Sequence, residues 1–134
     1  MRVNALDHVN IQTLKLDQTV RFYADVLGLT ARDPPPNLDP KLVQWMFDGQ
    51  DRAILHLSSP GSLGGAEFVN QSPDTGAVHH VALDCSGHDA MIGHLDSLGL
   101  AHRDLHHEAI GLKQIFVHDP NGVLIELNYR KSNP

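Results

Sequence analysis

The chain carries one pattern twice. Leu6-Asp7-His8-Val9-Asn10-Ile11 and Val78-His79-His80-Val81-Ala82-Leu83 put His8 and His80 at equivalent places, 72 residues apart. Each run is followed by a helix-like segment ending in Leu-Gly-Leu, at residues 27–29 and 98–100, an offset of 71. Near the end of each half, Ala53-Ile54-Leu55-His56-Leu57 matches Val123-Leu124-Ile125-Glu126-Leu127 at an offset of 70. Three landmarks at near-constant offset are the mark of an internal duplication, which constrains the fold more tightly than any local propensity. Halves of roughly 65–70 residues bury too little surface to be comfortable alone, so one domain with a shared core is expected over residues 1–134. The first module runs over about 4–58, a linker over about 59–77 and the second module over about 78–130.

Residues 5–13 alternate between two faces, as a strand does. Asp17 is placed to cap a helix carrying Val20, Tyr23 and Leu27, which Gly28 would stop. The proline-rich stretch 33–40 reads as a loop, since its prolines suit neither a helix interior nor a central strand. Strands are expected near 42–47 and 53–58, joined by a turn at Asp48-Gly49. The segment from Ser58 to Ala77, with a short apolar interruption at Phe68-Val69, is long for a compact domain and reads as linker, with a flap as the second reading. The second half repeats the order: a strand over 78–84, a helix over 88–98, and strands near 101–105, 112–118 and 123–129. The last two are joined by Asp119-Pro120-Asn121-Gly122. The fold class is therefore α+β: two tandem βαβββ modules forming a cup-shaped mixed sheet, with the helices on the convex face.

A net charge of −6 with only ten scattered Lys and Arg argues against nucleic acid as a partner. No apolar run approaches a membrane span and the opening residues do not resemble a signal peptide, so a cytoplasmic location is expected. Cys85, the single cysteine, reads as a small buried thiol. Histidine is the unusual component, ten in 134 residues. Because strand side chains alternate, His8 shares a face with Asn10 and Gln12, opposite Val9 and Ile11; His56 lies opposite Leu55 and Leu57. His80 lies opposite Val81 and Leu83, and Glu126 opposite Ile125 and Leu127. Four symmetry-matched positions thus carry three imidazoles and a carboxylate on the face the helices leave open. These are groups that divalent metals take, and a bent, duplicated sheet would gather them into one metal site. Adjacent His79 points by parity to the helix side, as a structural residue. His88, His94 and His102 read as solvated positions, and His118 as a residue before a turn. Trp45, Met46 and Phe47 are either an apolar substrate wall or a core stripe.

With these motifs, and with Arg21-Phe22-Tyr23-Ala24-Asp25-Val26-Leu27-Gly28-Leu29, the chain resembles the vicinal oxygen chelate superfamily over about residues 4–130. That superfamily includes glyoxalase I, extradiol ring-cleaving dioxygenases, fosfomycin-modifying transferases and bleomycin-binding proteins. The resemblance places metal ligands on His8, His80 and Glu126, with His56 either a fourth ligand or an acid–base catalyst. In glyoxalase I the position of His56 carries a glutamate; in the extradiol enzymes the matching region supplies a catalytic histidine. The closing segment, from His107 through Ile115-Phe116 and Asp119-Pro120-Asn121-Gly122 to Glu126, is similar to the extradiol signature, except that Phe116 stands where that signature has tyrosine.

The resemblance therefore implies a divalent-metal enzyme acting on a small molecule with vicinal oxygens. His56, Glu126 and His107 are its catalytic candidates, and Asn10, Phe116 and Trp45 its substrate contacts. The reading favoured from sequence is an extradiol-type dioxygenase using Fe(II). The alternative is a glyoxalase I-like isomerase or lyase using Ni, Zn or Mn, followed by a bleomycin-resistance-type binding protein. A homodimer is expected from the same likeness.

Overall fold

The computed structural model describes residues 1–64 and 74–131. The middle of the expected linker, residues 65–73 with Phe68-Val69, therefore lies outside the described residues. The chain divides into two compact units, Met1–Pro73 and Asp74–Pro134. Each is a βαβββ module, as the duplication requires.

In the first unit, β1 (Val9–Gln12) leads to α1 (Leu16–Arg21), followed by β2 (Thr30–Arg32), β3 (Val43–Phe47) and β4 (Ala53–Ser58). The sheet order is β1-β4-β3-β2, with β1 and β4 parallel and the other pairs antiparallel. Asp17 is not the helix cap. The helix starts a residue before it, at Leu16, and the Lys15 amide is held by the Thr13 hydroxyl at 2.9 Å. Asp17 lies instead in the first turn, where a carboxylate still faces the positive end of the helix. The helix continues as a π-turn over Phe22–Val26 and ends at Gly28, whose φ of +75° suits glycine. Its buried stripe is Thr19, Phe22, Tyr23 and Val26, rather than one running through Val20 and Leu27. Burying Phe22 together with Tyr23 centres the stripe between them. With Ile11, Met46, Leu55 and Leu57 they form this unit's core; each such side chain taken from water contributes about 1.5–3 kcal/mol.

The second unit has β5 (Val81–Cys85), α2 (His88–Ser97), β6 (His102–His107), β7 (Leu112–His118) and β8 (Leu124–Arg130), in the order β5-β8-β7-β6. Ile115, Val117, Ile125 and Leu127 are buried on one side of the sheet, and Leu95 of α2 is fully buried. The β7–β8 turn forms as its sequence predicts. The Asp119 carboxylate accepts the amides of Asn121 (2.8 Å) and Val123 (2.9 Å), and Gly122 takes a positive φ.

The two registers are the same. In β1 and β4, Asn10 pairs with His56; in β5 and β8, Ala82 pairs with Glu126. Asn10 and Ala82 each stand two residues after the repeated histidines His8 and His80, so each unit repeats one arrangement of two candidate donors.

Candidate metal centre

In the first unit, His8 immediately precedes β1, and His56 lies mid-strand in β4, with Trp45 as its register partner in β3. The three rings form one stack. His8 lies 3.7 Å from His56 at 15°, and Trp45 lies 3.9 Å from His56 on its other side at 5°. Trp45 is therefore a wall of the candidate site rather than core, as strand parity demands: its neighbour Met46 is the fully buried one. Burial between two rings pushes the His56 pKa down from 6.5 to about 4, helped by the His8 charge and opposed by Asp7. His56 is consequently a neutral imidazole at physiological pH. The Asp7 carboxylate sits 2.6 Å from His8 Nδ1, which leaves Nε2 for another partner. Asn10, next to His56, accepts a hydrogen bond from the Ser58 hydroxyl at 2.8 Å.

In the second unit, His80 Nε2 lies 3.0 Å from Glu126 Oε2. Two donors about 2.1 Å from one ion and at right angles to each other stand about 3 Å apart, so this pair fits a divalent metal. The other carboxylate oxygen of Glu126 accepts the Gln114 amide at 2.7 Å. Gln114 also donates to Asn128 (2.9 Å), and its carbonyl accepts from His107 Nε2 at 2.9 Å. His107 thus reaches Glu126 through Gln114. Gln114 was not singled out from the sequence, although β7 parity puts it on the Glu126 face; a lone glutamine gives no pattern by itself. Phe116 is the register partner of Glu126 and lines a cavity of ≈ 420 Å³ with Arg103, Leu105 and His118.

A family model described as the Glyoxalase/Bleomycin resistance protein/Dioxygenase superfamily matches residues 5–127. The chain belongs to this superfamily. Among curated proteins, Glyoxylase I 4 of Arabidopsis thaliana is 26% identical over 130 residues, covering 95% of this chain and 71% of the relative. Among solved structures, a Bacillus anthracis protein assigned to the glyoxalase family superposes with a TM-score of 0.74 at 21% identity, over 98% of this chain and 100% of the other. Lactoylglutathione lyase from Agrobacterium tumefaciens gives 0.67 at 22% identity, over 96% and 95% of the two chains. At these identities the structural likeness establishes the superfamily's fold, the tandem βαβββ arrangement read from the sequence.

Two sequence expectations outside this superfamily ligand pattern are corrected. His79 does not pack on the helix side; it is exposed, with Nδ1 2.9 Å from His80 Nδ1, and lines the same cavity as Phe116. Its backbone precedes β5, so strand parity does not govern it. His88 is not solvated but 8% exposed, because the first turn of α2 packs against Tyr129 and β6. His102 is half-buried, its Nδ1 donating to the Leu100 carbonyl at 2.9 Å. No helix among the described residues is long and apolar enough to cross a membrane.

Proposed function

We propose that the chain is a metal-dependent enzyme that moves a proton on a small substrate bound through two neighbouring oxygens, with His8, His80 and Glu126 as ligands. The observation that carries this reading is the repeated donor pair, His8 with His56 and His80 with Glu126, at matching register in the two units. Both histidine ligands keep Nε2 for the ion. Asp7 holds Nδ1 of His8, and His79 engages Nδ1 of His80. When bound, the ion supplies Lewis-acid polarisation of the chelated oxygens.

His56 acts as the base rather than as a fourth ligand. Imidazole lone pairs lie in the ring plane, and the His8 and His56 planes are nearly parallel at 3.7 Å. The two rings would therefore direct their lone pairs within separate, nearly parallel planes, with His8 as the ligand and His56 left to move a proton. A neutral His56 is instead ready to take a proton from substrate carbon or oxygen. Gln114 and His107 orient the Glu126 carboxylate and hold one of its oxygens by hydrogen bond.

The favoured form is a glyoxalase-type isomerase or lyase using Ni, Zn or Mn on an α-keto aldehyde adduct, with His56 removing a proton from one carbon and returning it to its neighbour. Phe116 supports this form, because at the register position beside Glu126 it offers no phenol to an oxygenase substrate. An extradiol-type Fe(II) dioxygenase is the second reading, favoured by His56 being an imidazole base and by His107 in its signature place. Metal analysis of anaerobically purified protein, with His8→Ala and Glu126→Ala, tests both. Stoichiometric Ni, Zn or Mn lost in both variants, with isomerisation of methylglyoxal plus glutathione, is the expected result. Iron with oxygen uptake on catechols moves the assignment to the dioxygenase. A protein that takes up no metal on reconstitution sinks both and leaves ligand binding.

A further inference from the structure

On the helix side of the second unit, α2 meets the edge strand β6 through a group of side chains that the proposed reaction does not use. His88 begins α2, while Asp104 and His106 stand two apart on β6 and so share a face. One ligand atom from each lies within 4.8 Å of the other two. His88 Nε2 is 2.8 Å from one Asp104 oxygen, and His106 Nε2 is 3.0 Å from the other.

The hydrogen-bond inventory of His88 is the telling feature. Its second nitrogen, Nδ1, faces the Asp89 carboxylate at 2.8 Å. A neutral imidazole has one N–H, so only one of these two carboxylate contacts can be a hydrogen bond. With Asp89 taking the Nδ1 proton, Nε2 turns a lone pair towards the Asp104 oxygens, a contact that either a second proton on the ring or a metal cation between them would satisfy. The same Asp89–His88 contact is the carboxylate–histidine pair that orients metal-bound imidazoles. His88 is 8% exposed and wedged edge-on against the Tyr129 ring, so its rotamer is held. Lys113 lies 3.4 Å from Asp89 and neutralises that outer carboxylate rather than Asp104.

We propose that His88, Asp104 and His106 form a second divalent-cation site, separate from the donors of the proposed reaction. Two imidazoles and one carboxylate select a borderline ion of the Zn(II), Ni(II) or Cu(II) type over Mg(II) or Ca(II). Such an ion clips the start of α2 to the edge of the sheet.

The test is Zn(II) titration by calorimetry and native mass spectrometry on the full chain carrying His8→Ala and Glu126→Ala, which removes the other proposed ligand set. One Zn(II) per chain is expected to remain in this background, to disappear on adding Asp104→Asn or His106→Gln, and to bind about 10–100-fold more weakly with Asp89→Asn. His106 is exposed on an edge strand, so its substitution leaves the core untouched. In the unsubstituted protein, nitrogen-15 NMR should move the Nε2 signals of His88 and His106 together as Zn(II) is added. The proposal is overturned if the background variant takes up no Zn(II), if its Zn(II) survives both β6 substitutions, or if His88 stays doubly protonated through the titration. The two Zn(II)-uptake outcomes are read in a background without His8 and Glu126, and the NMR outcome is read at His88 itself, so failure here is distinguishable from failure of the proposed enzyme site.

Discussion

Trp45 is the chain's single tryptophan, and it lies in face contact with His56. Its fluorescence is therefore a local reporter of that imidazole, because a stacked imidazolium accepts charge from the excited indole and quenches it. With a pKa of about 4, lowered first by burial and then by the His8 charge, His56 carries a proton in on the order of 0.1% of molecules at pH 7. An ordinary histidine would carry one in about a quarter. Metal-free protein should thus keep full Trp45 emission down to about pH 5 and lose it with a midpoint near 4. Since the folded ring holds its proton more weakly than the unfolded one, the associated stability is complete above pH 6.5 and is lost as pH falls from 6.5 towards 4. At about 1.4 kcal/mol per pH unit this comes to about 3.5 kcal/mol, and the partial exposure of the ring reduces it to about 1–2 kcal/mol. The assay is emission against pH with circular dichroism in parallel, repeated with His56→Gln, which should abolish the transition, and with His8→Ala, which should raise its midpoint. A quenching midpoint between pH 6 and 7 that disappears in His56→Gln would refute the argument that the stack desolvates the ring.

Gln114→Ala removes the donor that orients Glu126 and should weaken divalent-metal binding by about 10–100-fold in calorimetry, with folding intact; unchanged affinity would mean that Glu126 needs no such support. The Tyr129 hydroxyl is buried beside the Cys85 thiol, a weak partner, and has no stronger one among the described residues. Tyr129→Phe should therefore leave stability unchanged or raise it by up to about 1 kcal/mol in thermal melts, whereas a clear loss would reveal a hydrogen bond worth keeping. Burial, with the neighbouring Asp84 charge, pushes the Cys85 thiol up to about 11, so disulfide-exchange labelling at pH 8 should run about a hundredfold slower than for a free cysteine and reach the free rate on denaturation.

The short β2 was not among the strands read from the sequence, but the duplication and the matched spacing of His8 with His80 and of His56 with Glu126 were legible in it. These depend on spacing and strand alternation, which are properties of the local chain: a residue's face in a strand follows from its neighbours. Alternation also separates Trp45 from the buried Met46 and Phe116 from the buried Ile115, but only with that burial known does it decide between substrate wall and core stripe for Trp45. It failed at strand ends and across elements. His79 lies before β5, where alternation no longer holds. Asp17 met the preference for a cap, yet the helix began at Leu16, with Thr13 holding the Lys15 amide.

Only the tertiary structure decided what the donors touch. Gln114 and Glu126 belong to different strands, and their contact depends on the β7–β8 register. The face-to-face stacking that keeps His56 neutral depends on rotamers and on Trp45 crossing from β3. His88 is separated from Asp104 by 16 residues and from Tyr129 by 41, so nothing local distinguishes it from a solvated helix histidine. Its burial follows from how α2 docks on the sheet. Sequence periodicity thus determined which way each strand residue faces, whereas burial, protonation and hydrogen-bond partners came from packing, since they are set by the groups that other elements bring alongside.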